Sequence, residues 1–253
     1  MQRIPPEWQT DRADRIQAQD GRPRSSSVGS CGCGGVSASV RSRSAAGAIA
    51  VGITGDSIAA MMQWFRDPMA ELGLPGISYG RNATTLNASD DYDGETFRAV
   101  THVLCQVIVN DLGGDGLTLA HLWQTARNQY AYIRTHNPGV PIWQTTTTPS
   151  VATTNFCTTL ADQTVPTQHS TIRAAWVAFL RAGAPCDPTT KAAREVGATG
   201  DTIRMGQTGH PLQGFVDIAA AVEHGGLAGT SKWRVDLGPL GGDGVHRSGL
   251  GMT

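Results

Sequence analysis

The sequence predicts an α/β fold in which a mostly parallel sheet lies between layers of helices. From Ala48 onward, short apolar runs alternate with longer segments whose apolar residues recur every three or four positions, an alternation typical of βα units. Residues 102–109 are largely apolar on both faces of a strand, as expected for a central parallel strand.

The individual elements are predicted from short apolar runs, which indicate strands, and from apolar residues at three- and four-residue spacing, which indicate helices. Strands are predicted at 48–54, 76–79, 102–109 and 140–145, and helices at 57–65, 91–100, 119–133, 172–183 and 215–223. One apolar stripe marks the helix at 119–133, formed by Leu119, Leu122, Trp123, Ala126, Tyr130 and Ile133. We interpret the aromatic residues of these helices as core packing.

Composition narrows the possible partners. The chain has 253 residues, with 40% hydrophobic residues, 16% charged residues and a formal net charge of −1. This balance gives no reason to expect nucleic acid or an anionic membrane as a partner. No apolar run approaches the ~20 residues of a membrane span, and the first residues lack the apolar stretch of a signal peptide. The sequence therefore assigns no compartment.

Two parts of the chain differ in composition. Residues 1–46 are rich in Ser, Arg and Gly with little apolar periodicity, so we predict a disordered leader or linker, with an upstream domain as an open possibility. Residues 47–253 are predicted to form the folded domain.

The five cysteines support no definite metal or disulfide site. Cys31 and Cys33 have no further ligands nearby, which a metal site would need. Cys105 is predicted to be a small core residue. Cys157 and Cys186 flank a predicted helix, and a disulfide between them stays open for an oxidising compartment.

The first predicted strand ends in the turn Gly55-Asp56-Ser57 and leads into a helix. A serine there lies at the carboxyl end of a strand, where open α/β sheets bind their ligands. It could therefore be a nucleophile. It could equally be the N-cap of the helix, which is a common role of serine at this position. Local sequence leaves both interpretations open.

Three other blocks could complete a hydrolytic site. Asp243 and His246, in a glycine-rich loop, supply an acid and a base three residues apart. Asn110 follows the central strand and offers an amide donor for an oxyanion. Gly80 follows the second strand, where a residue without a side chain lets the main-chain N–H approach a ligand. Dinucleotide-binding and P-loop motifs are absent from the sequence.

These four blocks, in this order, resemble those of the SGNH (GDSL-type) hydrolases over roughly residues 48 to 251. The resemblance implies a flavodoxin-like, three-layer α/β/α fold and ester hydrolysis without a metal or other cofactor. It implies that Ser57 is the nucleophile, His246 the general base and Asp243 the residue that orients it. The oxyanion donors would be the Ser57 main chain, Gly80 and Asn110.

The sequence departs from the family pattern in three places. Ile108 stands where the family usually has glycine, two residues before the asparagine, and Arg247 stands where proline is common. The chain ends at Thr253, about where the last helix of the family would begin, so we expect a domain whose final helix is truncated.

The function expected from these residues is hydrolysis of short-chain carboxylic esters of small molecules or carbohydrates. A carbohydrate O-acetyl esterase is the alternative within enzymes, and a catalytically silent binding or structural module is the alternative outside them. His210, in a glycine-rich loop, is a candidate for lining the substrate cleft. Asp236 is the reserve candidate for orienting the base.

Overall fold

A computed structural model gives the structure of the chain. The residues that it describes are 49–60, 63–81, 85–86, 94–106, 108–113, 117–226, 230–237 and 245. The predicted leader at 1–46 lies outside this set.

The described strands form one parallel sheet. They are β1 (Val51–Thr54), β2 (Gly76–Ser78), β3 (His102–Cys105), β4 (Ile142–Thr145) and β5 (Gly214–Val216). Their order across the sheet is β2-β1-β3-β4-β5, and every neighbouring pair is parallel. This is the flavodoxin-like order, in which the chain reverses direction across the sheet between β1 and β3.

Helices connect the strands. They are α1 (Ser57–Ala60), α2 (Gln63–Glu71), α3 (Gly94–Phe97), α4 (Leu119–His136), α5 (Thr167–Arg181) and α6 (Ile218–Val222), with 3-10 turns at Val109–Gly113 and Val235–Leu237. No helix in the described part of the chain is long and apolar enough to cross a membrane.

The main core lies between one face of the sheet and helices α4 and α5. Val103, Cys105 and Ile142 point to this face, and they belong to the same buried cluster as Trp123 of α4 and Trp176 of α5. The register pairs Val103 with Ile142, so apolar side chains of adjacent strands lie side by side under the helices.

The opposite face carries a smaller cluster. Ile53 of β1 and Ala59 of α1 are fully buried together, with Val51, Leu104 and Met69 of α2 packed against them. Because Ile53 pairs with Leu104 in the β1–β3 register, this cluster lies on the face turned away from α4 and α5. Helices therefore cover both faces, and the predicted three-layer α/β/α fold is confirmed.

The structure corrects two predicted elements. The segment predicted as a helix at 215–223 begins as strand β5, because residues 214–216 pair with β4 and Gly214 leaves room for the ring of Trp143. The strand predicted at 102–109 ends at Cys105, and the buried Ile108 lies outside it, directly before the 3-10 turn. Both changes arise from tertiary contacts, which local periodicity does not contain.

The structure describes three cysteines, all of them buried and none in a disulfide. Cys105 and Cys186 are buried in the main core, whereas Cys157 is buried in a separate cluster with Val151 and Trp233. A Cys157–Cys186 disulfide is not formed, and burial raises the pKa of the Cys105 thiol to about 12.

A buried ion pair joins α5 to the segments that follow β4 and α6. Arg173 donates to the main-chain carbonyls of Thr147 and Thr148, each at 3.0 Å, and to both carboxylate oxygens of Glu223 at 3.1 and 3.0 Å. It also donates to the Ser231 hydroxyl at 3.3 Å. Since both charged side chains are at most 3% exposed, each depends on the other for its stability in the interior.

Replacing Arg173 by methionine is expected to lower the free energy of unfolding by about 3–5 kcal/mol, because the Glu223 carboxylate stays buried without its partner. Urea unfolding at neutral pH, followed by circular dichroism, measures the loss. Arg181→Met on the same helix is the matched control. Arg181 pairs with Asp217 where both side chains are 22% exposed, so a loss of only about 1 kcal/mol is expected there. Equal losses in the two variants would contradict this assignment.

Candidate active site

The carboxyl ends of β1, β2 and β3 meet at one edge of the sheet. Main-chain hydrogen bonds extend beyond the strands themselves. The Tyr79 N–H donates to the Ile53 carbonyl at 2.8 Å, the Arg81 N–H to the Gly55 carbonyl at 3.0 Å, and the Gln106 N–H to the Thr54 carbonyl at 2.8 Å. The turns that follow these three strands are therefore held together at the β1–β3 reversal, where α/β sheets of this type bind ligands.

Asp56 caps helix α1. The Asp56 carbonyl accepts the first helical hydrogen bond, from the Ala60 N–H at 2.9 Å, and its Oδ1 accepts from the Ile58 N–H at 2.8 Å. These two bonds define an N-cap residue. Ser57 therefore occupies the first helical position, largely buried with 7% of its surface exposed. The interpretation of Ser57 as the cap is wrong.

Two glycines allow the close packing of this turn. A Cβ on Gly55 would lie 2.2 Å from the Ala59 Cβ and 2.6 Å from Oε1 of Gln106. A Cβ on Gly80 would lie 2.3 Å from the Ala60 nitrogen and 2.5 Å from the Ala59 carbonyl carbon. Real Cβ atoms do not approach other atoms so closely, so both positions require glycine.

The turn after β2 lies directly against α1. The Ser78 hydroxyl donates to the Ala59 carbonyl at 3.1 Å, and the Gly80 N–H donates to the Ser78 Oγ at 3.3 Å. With the close approach of Gly80 to Ala59 and Ala60, these contacts place the Gly80 main chain at the first turn of the helix that Ser57 begins.

Asn110 lies in the 3-10 turn that follows β3, and it is exposed. The residues on either side of the turn are fixed, since Ile108 and Leu112 are buried in the main core. The Asp111 N–H donates to the Ile108 carbonyl at 2.9 Å. Ile108 thus anchors the start of the turn through its buried side chain.

A second carboxyl group lies near the Asp56 cap. Asp111 accepts the Leu86 N–H with both carboxylate oxygens, at 3.1 and 3.2 Å. Burial, together with the nearby charge of Asp56, raises the pKa of Asp111 to about 6. The carboxyl therefore titrates just below neutral pH. Asp111 was not among the predicted site residues, although its position directly after Asn110 was a signal.

The proposed acid and base cannot be placed. Asp243 and His246 lie outside the described residues, so their predicted roles stay predictions. Asp236, the reserve candidate, is exposed, and Arg234 Nε donates to it at 3.0 Å.

His210 occupies a packing position. It is buried, and its Nε2 lies 2.9 Å from the Ala184 carbonyl. Its Nδ1 accepts the Leu212 N–H at 3.0 Å. Both ring nitrogens are therefore engaged within the protein, and burial lowers the pKa of the imidazole. This geometry gives no support to the expectation that His210 lines a substrate cleft.

Comparisons with known proteins identify similar folds only. No family model matches the chain, and no curated protein matches it. Among solved structures, a GDSL-like lipase from Bacteroides thetaiotaomicron superposes with a TM-score of 0.45 and 15% identity, over 80% of this chain and 82% of that one. A carbohydrate esterase family 3 protein from Talaromyces cellulolyticus gives 0.46 and 12%, over 80% and 90%. An acetyl esterase gives 0.45 and 12%, also over 80% and 90%. Matches at this level do not decide the activity of this chain.

Gly80→Ala is expected to lower the free energy of unfolding by about 3 kcal/mol, because the new methyl group overlaps the main chain of α1, which cannot move aside. Gly73→Ala is the control. Gly73 has open space around it but a φ of +65°, so alanine should cost only the ~1 kcal/mol of a left-handed main chain. Chemical denaturation measures both variants, and a Gly80→Ala variant no less stable than Gly73→Ala would contradict the packing.

Asp111→Asn is expected to stabilise the protein increasingly, relative to the wild type, as the pH rises from about 4 to about 6. The raised pKa of the folded-state carboxyl means that the folded wild type binds a proton more tightly than the unfolded chain. Wild-type stability is therefore lost as the carboxyl ionises. At about 1.4 kcal/mol per pKa unit, the gain should reach about 1–3 kcal/mol above pH 6. Urea unfolding of both proteins at pH 4, 5, 6 and 7 tests this, and a pH-independent difference would contradict it.

Proposed function

We propose that the protein is a serine ester hydrolase that cleaves short-chain carboxylic esters through an acyl-enzyme intermediate. The observation that carries this proposal is the Asp56 cap. Because Asp56 caps α1, Ser57 takes the first helical position, directly after the carboxyl end of β1. Ser57 is thereby held at the carboxyl edge of the sheet, where a nucleophile would meet its substrate.

The environment of Ser57 suits the chemistry of acyl transfer. The Ser57 main-chain N–H lies in the first turn of α1, where N–H groups point out of the helix and favour negative charge. The Gly80 main chain lies against the same helical turn, and Asn110 is exposed on the turn after β3. These three groups are the proposed oxyanion donors. The Gly80 N–H donates to the Ser78 Oγ at 3.3 Å in this structure and would exchange this long hydrogen bond for one to the oxyanion when substrate binds. Such donors commonly make the largest contribution to lowering an acyl-transfer barrier.

In the proposed reaction, the Ser57 Oγ attacks the ester carbonyl carbon while His246, oriented by Asp243, accepts the hydroxyl proton. The tetrahedral oxyanion collapses as His246 protonates the departing alcohol, which leaves Ser57 acylated. Water then attacks the acyl carbon with His246 again accepting the proton, and the carboxylic acid leaves as Ser57 recovers its proton.

Ser57→Ala is expected to reduce kcat for p-nitrophenyl acetate by about 10⁴-fold or more, because no acyl-enzyme can form. Ser170→Ala is the matched control, since in the described part of the chain the Ser170 hydroxyl bonds only along its own helix, to the Thr167 carbonyl at 2.9 Å; it should leave the rate unchanged. Longer p-nitrophenyl esters report the acyl preference, and rates should fall with chain length.

Acetylated xylo-oligosaccharides, assayed by acetate release beside p-nitrophenyl acetate, distinguish a carbohydrate O-acetyl esterase from an esterase of small molecules. Equal turnover by wild type and Ser57→Ala on every ester would contradict the proposal. A folded wild-type protein without turnover would favour the silent module.

A further inference from the structure

We propose that Asp111 is a positioning residue for the oxyanion hole, whose carboxylate fixes the turn that carries Asn110 to the segment that follows Gly80. This role rests on the proposed ester hydrolysis. Asp111 is not expected to touch the substrate; it acts through the placement of Asn110.

Asp111 contacts Leu86 directly, through one bifurcated hydrogen bond. Both oxygens of Asp111 accept the single N–H of Leu86, at 3.1 and 3.2 Å, and Leu86 lies six residues after Gly80. On the other side, the Asp111 N–H is bonded to the Ile108 carbonyl within the turn. The Asp111 carboxylate therefore joins the turn after β3 to the main chain at Leu86.

Both ends of this link are anchored in the core. Leu86 is 1% exposed, and it belongs to the same apolar cluster as Ile108 and Leu112, which flank the turn. Asn110 itself is exposed, so the core packing of its own side chain does not fix its direction. The main-chain position of Asn110 is set by the turn, which Ile108 and Leu112 anchor in the core and Asp111 joins to Leu86.

Asp56, the cap residue directly before Ser57, is near enough to Asp111 for its charge to contribute to the raised pKa of the Asp111 carboxyl. Oxyanion donors act only when placed within hydrogen-bond distance of the developing charge, and a misplacement of about 1 Å can cost about 10²-fold in rate.

The test compares Asp111→Ala with Asp111→Asn in the full chain. Alanine removes the acceptor of the Leu86 N–H, whereas asparagine keeps one. For p-nitrophenyl acetate, kcat should fall by about 10- to 100-fold in Asp111→Ala with KM changed by less than about threefold, and Asp111→Asn should restore kcat to within about threefold of wild type. Hydrogen exchange of the Leu86 amide, measured by mass spectrometry or NMR, should be fast in Asp111→Ala and slow in Asp111→Asn.

Asp187→Ala is the matched control. Asp187 also accepts main-chain N–H groups, from Thr189 and Thr190 at 2.9 and 2.8 Å, but it does so in the connection between α5 and β5. Its loss should leave kcat unchanged. If Asp111→Ala does not fold, Asp111→Ser provides the same comparison, because its hydroxyl is too short to reach Leu86.

A double-mutant cycle separates positioning from general stability. If Asp111 acts through Asn110, then Asp111→Ala should lower kcat much less in the Asn110→Ala background than in the wild type. Additive losses would overturn the positioning role, as would a wild-type kcat in Asp111→Ala with fast Leu86 exchange. If the wild type hydrolyses no ester while Leu86 exchange responds as expected, the proposed function fails, and the positioning role fails with it.

Discussion

The N-cap formed by Asp56 is the interaction on which the rest of the candidate site depends. Asp56 lies between the end of β1 at Thr54 and the start of α1 at Ser57. Because Asp56 is the cap, Ser57 is the first helical residue. Gly55 and Gly80 then become necessary, because only residues without a side chain let the strand turns pack so closely on α1. The site is therefore compact because of main-chain geometry.

Charge is concentrated at this edge of the sheet. Asp56 is fully buried, and its charge contributes to the raised pKa of the nearby Asp111 carboxyl. Like charges placed near each other in the interior repel, which lowers stability. Hydrogen bonds from the main-chain N–H groups of Ile58 and Leu86 recover part of this cost, but the raised pKa of Asp111 means that ionising its carboxyl still lowers stability. Each carboxylate fixes a turn that carries a proposed catalytic group, which explains why acidic side chains are tolerated here.

Much of the fold was predictable from the sequence, since β1, β3 and α4 have strong apolar periods and few competing alternatives. The β5 strand was missed because three residues at a sheet edge carry no period, and it forms only through pairing with β4. At the site, the sequence predicted roles for Ser57, Gly80 and Asn110 but left Ser57 open as either helix cap or nucleophile. It did not point to Asp56 as the cap, although aspartate and serine are both strong N-cap residues. The Asp111–Leu86 bond joins residues 25 positions apart, and no local pattern predicts such a pair.

The most direct test of the central claim is to treat the folded wild-type protein with a fluorophosphonate and to locate the adduct by peptide mass spectrometry. An activated serine should react once, and the modified peptide should carry the adduct on Ser57, with no reaction after unfolding. An unmodified protein, or an adduct on another residue, would contradict the account of the β1–α1 turn as the position of a catalytic nucleophile.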